Sequence, residues 1–248
     1  MLTKRQLIVN ISIISMIVVN ILATTLPIGG VTTAEVSNRY FNYFVPAGYI
    51  FSIWGLIYIG LIAFGVFQSL KQNRNNEMIN NISLYVIINA FANAAWIFTW
   101  HFEILWLSVL LMIVILFTLL KIFMIVVVEN RKVLSNKMNW FVRYPFTLYL
   151  GWISVATIAN IAALLTSLNW SGFGISPIVW SVIMIVVASL IAIYLLLNYR
   201  EFVFSFVIIW AILGIFNNQE PELIKGAVIA LVSVITLMVV FVKYRLYK

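Results

Sequence analysis

The chain has 248 residues, of which 64% are hydrophobic and 9% are charged, and its formal net charge at pH 7 is +8. A soluble domain needs more charged surface than this composition supplies, so a soluble protein is excluded. The sequence contains no cysteine, which rules out disulfides, thiolate metal sites, a cysteine nucleophile and lipid attachment through cysteine.

Long apolar runs recur along the chain, each close to the roughly 20 residues that a membrane-spanning helix needs. They predict an all-α polytopic membrane protein with eight spans, at about residues 7–26, 48–70, 79–99, 104–128, 145–167, 176–198, 202–216 and 226–242. The seventh span is short. We expect the first to be a retained helix rather than a signal peptide, because it is long and no small-residue cleavage site follows it.

The basic residues orient the predicted spans. If the N-terminus is cytoplasmic, 12 of the 15 basic residues fall in inner segments, while the outer loops hold only Arg39 and Lys225. This distribution follows the positive-inside rule, and an even number of spans then places both termini in the cytoplasm. The inner set is Lys4, Arg5, Lys71, Arg74, Arg131, Lys132, Lys137, Arg143, Arg200, Lys243, Arg245 and Lys248. Anchoring to anionic lipid explains the positive charge without a nucleic-acid partner.

Ionisable groups that would support catalysis or ion coupling are scarce in the predicted spans. Lys121 lies near the inner end of the fourth span, where its amine can reach the interface. His101 and Glu103 are predicted in a short outer loop, and one histidine with one glutamate is too few for a zinc site. The sequence has no nucleophile–base set, P-loop or carboxylate pair. We therefore expect no catalytic residue, no metal and no required cofactor.

Aromatic and amide side chains line one face of three predicted spans. At about 100° per residue, the main members of each set share a face roughly 60–80° wide. The sets are Phe51, Trp54 and Tyr58 on the second span, Asn89, Asn93, Trp96 and Trp100 on the third, and Trp152, Ala156 and Asn160 on the fifth. A rise of about 1.5 Å per residue puts all three at one level, between the midplane and the outer surface. The outer loop 27–47 would lie above them.

These faces have two interpretations. Asparagines in membrane helices commonly hydrogen-bond a neighbouring helix, and tryptophans near span ends commonly form an interfacial belt. Three faces at matching depth favour a pocket, since ligand sites combine apolar walls with a few converging polar groups. Pro46 suits the first turn of the second span, and we expect Gly48 to let the loop or a neighbouring helix approach closely.

The order of these motifs resembles the TspO family, also called tryptophan-rich sensory proteins or translocator proteins (peripheral benzodiazepine receptors). The segments that carry the resemblance are PAGYIFSIWGLIY, NAAWIFTWHF and GWISVATIAN. The resemblance covers about residues 1–169 and implies a five-helix bundle, to which residues 170–248 add three transmembrane helices without a counterpart. The sequence departs from the family pattern in the spacing between Phe51 and Trp54, in its single Pro46 and in the position of Pro145.

The resemblance implies a receptor that binds a hydrophobic ligand, notably a porphyrin or another tetrapyrrole, for sensing or transport. The ligand-binding residues expected from the resemblance and the three faces are Phe51, Trp54, Tyr58, Asn93, Trp96, Trp100, Trp152, Ala156 and Asn160. Aromatic walls stack on a tetrapyrrole, and neutral amides bind its edge without burying a charge. The expected partners are this ligand and the lipid bilayer, with a homodimer left open.

The expected location is a bacterial plasma membrane, because the chain is rich in isoleucine and asparagine and lacks a transit peptide. Three alternatives stay open. One is a secondary transporter of a neutral solute, although the sequence shows no inverted repeat and no coupling-ion residues. Another is a membrane subunit whose aromatic faces only pack helices. The third is an enzyme that breaks down the bound porphyrin.

Overall fold

A computed structural model of the protein describes residues 2–26, 28–129 and 134–246. Every regular element within these residues is helical, so the predicted all-α fold class is confirmed. The α-helices are α1 (Lys4–Thr25), α2 (Thr33–Arg39), α3 (Ile53–Ser69), α4 (Glu77–His101), α5 (Leu105–Phe123), α6 (Asn136–Met138), α7 (Tyr144–Ser167), α8 (Pro177–Tyr199), α9 (Phe202–Asn218) and α10 (Glu222–Leu246). A 3₁₀ turn, Gly48–Ser52, leads directly into α3.

Within the described residues, seven helical stretches are long and apolar enough to cross a membrane, and α9, with 17 residues, is a shorter apolar helix. At 1.5 Å per residue α9 extends roughly 25 Å, slightly less than the hydrocarbon core of about 30 Å. The architecture is that of a multi-pass membrane protein with the short seventh helix that the sequence predicts. Three basic residues used to orient the spans, Arg131, Lys132 and Lys248, lie outside the described residues.

The fifth long helix differs from its predicted bounds. It begins at Asn136 rather than near Pro145, because α6, a π-helical turn at Asn139–Arg143 and α7 run together as one stretch of 32 residues. The sequence suggested a start at Pro145 because proline is favoured in the first turn of a helix. Proline inside a helix leaves a carbonyl one turn earlier without its N–H partner, and a π turn loosens the hydrogen-bonding register at that point.

The helices form a ring of five with three more attached. Around the ring, α1 packs on α4, α4 on α5, α5 on α7, α7 on α3, and α3 returns to α1. The three C-terminal helices α8, α9 and α10 contact one another and meet the ring chiefly through α9, which packs on α7. The five ring helices, three of which carry the family motifs, therefore close a bundle of their own.

The closest approach near the start of α3 occurs at Gly214 and not at Gly48. An added Cβ at Gly214 would lie 2.1 Å from Cγ1 of Ile50, and the Ala47 backbone N–H donates to the Gly214 carbonyl over 3.0 Å. An added Cβ at Gly48 meets no described heavy atom within 4 Å. The expectation for Gly48 is therefore wrong, because the helix that comes close is α9 and the contact falls on its own glycine.

Candidate ligand site

The outer halves of α3, α4 and α7 meet around a small cavity that α2 covers. The cavity lining combines aromatic, small and hydroxyl side chains, namely Thr33, Ser37, Pro46, Phe51, Trp54, Trp96, Trp100, Trp152, Val155, Ala156, Ala159 and Asn160. Its volume is about 30 Å³. A water molecule needs roughly 10–15 Å³ of such space, so in this conformation the cavity has room for about two or three waters.

Trp54 organises the rings of the site. Its indole stacks on Tyr58 with ring centroids 5.7 Å apart, and it lies 6.4 Å from the Trp96 ring and 6.3 Å from the Trp152 ring. The edge of Tyr149 approaches the same indole at 5.7 Å. Edge-to-face and offset contacts at these distances each stabilise an aromatic pair by about 0.5–1.5 kcal/mol, so the wall is a mutually supported cluster.

Three buried N–H donors of the cavity wall have no acceptor among the described residues. They are the indole N–H groups of Trp96 and Trp152 and the amide nitrogen of Asn160. The Ser108 hydroxyl donates to Oδ1 of Asn160 over 2.8 Å, which leaves the amide nitrogen as the unpaired end. A buried donor without an acceptor costs about 1–3 kcal/mol, so three in one cavity are a feature that needs an explanation.

The structure brings seven of the nine predicted site residues together at this cavity. The remaining two, Tyr58 and Asn93, lie behind the lining. Asn93 is fully buried, accepts from the Asn20 amide over 2.7 Å and donates to the Tyr149 hydroxyl over 2.8 Å. Both ends of its amide are occupied, so Asn93 joins α1, α4 and α7 behind the cavity.

Asn89, from the same predicted face, serves a helix contact on the other side of α4. Its amide donates to the Thr118 hydroxyl of α5 over 2.8 Å and to the Ile115 carbonyl over 3.2 Å. The packing interpretation therefore describes Asn89, while the α4 residues that line the cavity, Trp96 and Trp100, lie about two turns and more towards the outer surface.

Sequence reasoning missed Tyr149 and the two hydroxyl residues of α2. Tyr149 precedes Trp152 by three residues, a helical spacing that places both on one face and could have identified it. Thr33 and Ser37 belong to a predicted loop, where no periodic pattern indicates which side chains face a cavity.

The short helix α2 is fastened to the outer end of α4. The Trp100 indole donates to the Thr33 carbonyl over 3.1 Å, and the Glu103 carboxylate accepts from both Arg39 and the Tyr40 hydroxyl. The Tyr40 hydrogen bond and the Arg39 charge hold the pKa of Glu103 below its usual value. The same hydrogen bond raises the pKa of Tyr40 to about 12.

His101 does not lie in a loop as predicted, because α4 continues through it. The imidazole is buried, and Nδ1 donates to the Ile97 carbonyl one turn earlier, over 2.8 Å. The described part of the chain contains no group of three His, Cys, Asp or Glu side chains that could hold a metal ion.

The comparisons with known proteins agree with this architecture. A family model described as TSPO-like protein matches residues 6–242. The chain belongs to the TSPO-like family. This confirms the resemblance drawn from the sequence motifs, and the match continues through α8, α9 and most of α10. The comparisons found no match among curated proteins and none among solved structures.

Proposed function

We propose that this TSPO-like protein binds a flat hydrophobic small molecule in the cavity beneath α2, for sensing or for transport, and that the molecule is a porphyrin or a related tetrapyrrole. The observation that carries the proposal is the pairing of an aromatic enclosure with three buried N–H donors that lack an acceptor, on Trp96, Trp152 and Asn160. A ligand with ring faces and hydrogen-bond acceptors would satisfy both features at once.

The charge of the lining restricts the ligand further. No charged side chain is among the residues that line the cavity, and the unpaired groups are all donors. A ring nitrogen, a carbonyl or another neutral acceptor fits such a wall, whereas a carboxylate buried there would have no cation to pair with. The acidic side chains of a porphyrin would accordingly point to the outer surface, where α2 meets water.

Binding requires the cavity to open. Ligand sites for molecules of this size measure about 300–1,000 Å³, far more than the closed cavity provides. The element whose displacement enlarges it with least disruption is α2, which has seven residues and carries Thr33 and Ser37 of the lining. We therefore describe the present conformation as the closed form of the site.

Quenching of tryptophan fluorescence by protoporphyrin IX tests the proposal on the purified protein in detergent. The Trp152→Phe and Asn160→Ala variants each remove one N–H donor, and Trp152→Phe retains an aromatic ring. Loss of one hydrogen bond of about 0.5–1.5 kcal/mol weakens affinity roughly 2–12-fold. The matched control is Trp106→Phe, because that indole is 60% exposed and lies away from the cavity.

Saturable quenching that weakens in both variants and not in the control supports the proposal. Equal quenching in all four proteins, or quenching no stronger than with an unrelated membrane protein, overturns it. The aromatic faces would then serve helix packing, and uptake of neutral solutes by reconstituted vesicles would be the next measurement.

A further inference from the structure

A second cavity lies between α7 and α8, on a different face of α7 from the aromatic site. Its volume is about 350 Å³, which is within the range of small-molecule sites. From α7 it is lined by Ile158, Ala162 and Thr166, and from α8 by Ser181 and Met184. None of its lining residues belongs to the aromatic cavity.

Two tryptophans form the outer mouth of this cavity. The rings of Trp170 and Trp180 lie 5.5 Å apart, and the Trp180 indole donates to the Gly172 carbonyl over 2.8 Å. Gly172 has φ of 68°, and an added Cβ would lie 3.2 Å from the same indole nitrogen. A larger residue would be strained in conformation and crowded against the indole, so the mouth is a defined structure rather than a gap between helices.

The cavity changes in polarity with depth. Thr166 and Ser171 lie at its outer end, while Ile158 lies eight residues before Thr166 along α7. At 1.5 Å per residue this is a depth of about 12 Å. Met184 faces the same inner part from α8. A hydroxyl-lined mouth above an apolar floor matches a molecule with one polar end and an apolar chain.

The polar groups of the lining are neutral. No charged residue is among the described residues of this lining, so none of them would compensate a buried ionic head group. Ser181 is only 5% exposed, and it belongs to the cavity lining. It is available to a hydroxyl or ester group of a ligand.

We infer that this cavity binds a neutral single-chain lipid of the outer leaflet, of the monoacylglycerol type. The hydroxyl-bearing head lies at Thr166 and Ser181 beneath the two indoles, and the acyl chain runs down between α7 and α8. This site is separate from the proposed tetrapyrrole site and uses one of the three helices that follow the five-helix ring.

Native mass spectrometry of the detergent-solubilised full chain with 1-monooleoylglycerol tests the inference. The expected result is one retained lipid per chain. Ala162→Phe fills the cavity and lowers occupancy at least 10-fold, and Ser181→Ala lowers affinity roughly 2–12-fold through the lost hydrogen bond. Ala230→Phe, on the exposed face of α10, leaves occupancy unchanged. Oleate at alkaline pH binds more weakly than monooleoylglycerol, since no cation lines the cavity.

Equal retention in Ala162→Phe and the parent protein overturns the inference, as does equal binding of oleate and monooleoylglycerol. If Ala162→Phe does not fold, Ser181→Ala provides the test, because it removes the hydroxyl without adding volume. An unchanged affinity for monooleoylglycerol in Ser181→Ala contradicts the proposed lipid site. Protoporphyrin quenching is recorded on the same variants. Its persistence in Ala162→Phe separates the two sites, and its absence in the parent protein would count against the proposed function alone.

Discussion

Gly214 determines how the start of α3 is held. The side chain of Ile50 occupies the space where any larger residue at position 214 would place its Cβ, and Pro46 lies within 3.2 Å of the same point. The Trp210 indole, one turn earlier on α9, donates to the Ile50 carbonyl over 3.2 Å. These contacts fix the backbone immediately before Phe51 and Trp54, so a helix outside the five-helix ring positions two residues of the candidate site.

Gly214→Ala is therefore expected to destabilise the protein. Overpacking of this kind costs about 1–3 kcal/mol, because Ile50 or the backbone of α9 must shift. Thermal unfolding in detergent measures the loss. The matched control is Gly226→Ala in α10, where an added Cβ meets no described heavy atom within 4 Å. There the better helix propensity of alanine leaves stability equal or up to about 1 kcal/mol higher. Equal unfolding temperatures for the two variants would contradict the contact.

Asn93 and Asn160 show how far the sequence could predict the site. Both were recognised from helical spacing beside tryptophans. In the structure Asn93 has partners at both ends of its amide, whereas the amide nitrogen of Asn160 has none among the described residues. Periodicity gives the face on which an amide lies, but the partners come from Asn20, Tyr149 and Ser108 on other helices, and no local pattern encodes them.

The helix α2 covers the aromatic cavity and contributes Thr33 and Ser37 to its lining. It begins with a capping box between Thr32 and Glu35, which makes its seven residues a stable turn despite their short length. At the outer end of α4 it is held by the hydrogen bond from Trp100 and by the Glu103 carboxylate, which accepts from Arg39 and from the Tyr40 hydroxyl. The ion pair of Arg39 with Glu103 is partly exposed and so contributes only about 0–1 kcal/mol.

Weakening this ion pair should release α2. In Glu103→Gln the side chain still offers an oxygen to Tyr40, but the charge that attracts Arg39 is lost. Loss of up to about 1 kcal/mol increases opening up to roughly 5-fold. The rate of hydrogen exchange of the α2 backbone amides measures this increase in opening. The control is Glu220→Gln, which removes another exposed ion pair, that with Lys225, from a different outer loop.

The parent protein and Glu103→Gln are expected to differ in hydrogen exchange of α2, and the pH dependence of this difference follows from the lowered pKa of Glu103. A carboxyl whose pKa is lowered in the folded state stabilises that state fully above its ordinary pKa, and the contribution disappears as pH falls through the lowered value. The exchange difference between the parent protein and Glu103→Gln is therefore largest at neutral pH and vanishes in acid. A difference that persists unchanged in acid would show that charge is not the cause.

The long apolar elements were predictable while the irregular ones were not. Runs of about 20 apolar residues identify spans because the bilayer imposes that length, and this located α1, α3, α4 and α5 closely. No apolar run of this kind indicates α2 or the π turn at Asn139–Arg143, and the only local signal for α2 is the capping pair of Thr32 and Glu35. The position of α2 depends on its attachment to α4, whereas the π turn belongs to a local change of helical register before Pro145.

At the scale of the whole molecule, the three C-terminal helices are attached to the five-helix ring at both ends of α9. At the outer end, Asn218 and Gln219 donate to the Val45 carbonyl over 3.1 and 2.9 Å. At the inner end, Arg143 donates to Glu201 over 2.8 Å and to the Tyr199 carbonyl over 2.7 Å. The family match, which runs to residue 242, is consistent with ring and added helices forming one structural unit.

The inner attachment contains a buried charge. The Glu201 side chain is 1% exposed and that of Arg143 is 21% exposed. Burial raises the pKa of Glu201, and the neighbouring Arg143 guanidinium only partly opposes this. Burial therefore disfavours the ionised carboxylate, which depends on Arg143 for most of its compensation.

Removal of Arg143 should be far more damaging than removal of Glu201. Arg143→Met leaves the buried carboxylate unpaired, which destabilises proteins by about 3–5 kcal/mol. The control is Arg200→Met, which changes an exposed arginine next to Glu201 in the sequence. The double variant Arg143→Met with Glu201→Gln regains most of the loss, since neither charge remains buried. Thermal unfolding in detergent provides the comparison.

The loss in Arg143→Met also depends on pH. Without the guanidinium the pKa of Glu201 rises further, so the folded state holds its proton at pH values where the unfolded chain has released it. Stability then falls as pH rises from the ordinary glutamate pKa to the raised value, and it recovers in acid. Two results would contradict this account: an Arg143→Met protein that is equally unstable at pH 5 and pH 8, or a loss that Glu201→Gln does not rescue. Either result would show that Arg143 acts through the packing of its side chain. The ring would then hold α9 through apolar contacts and through the outer end of that helix.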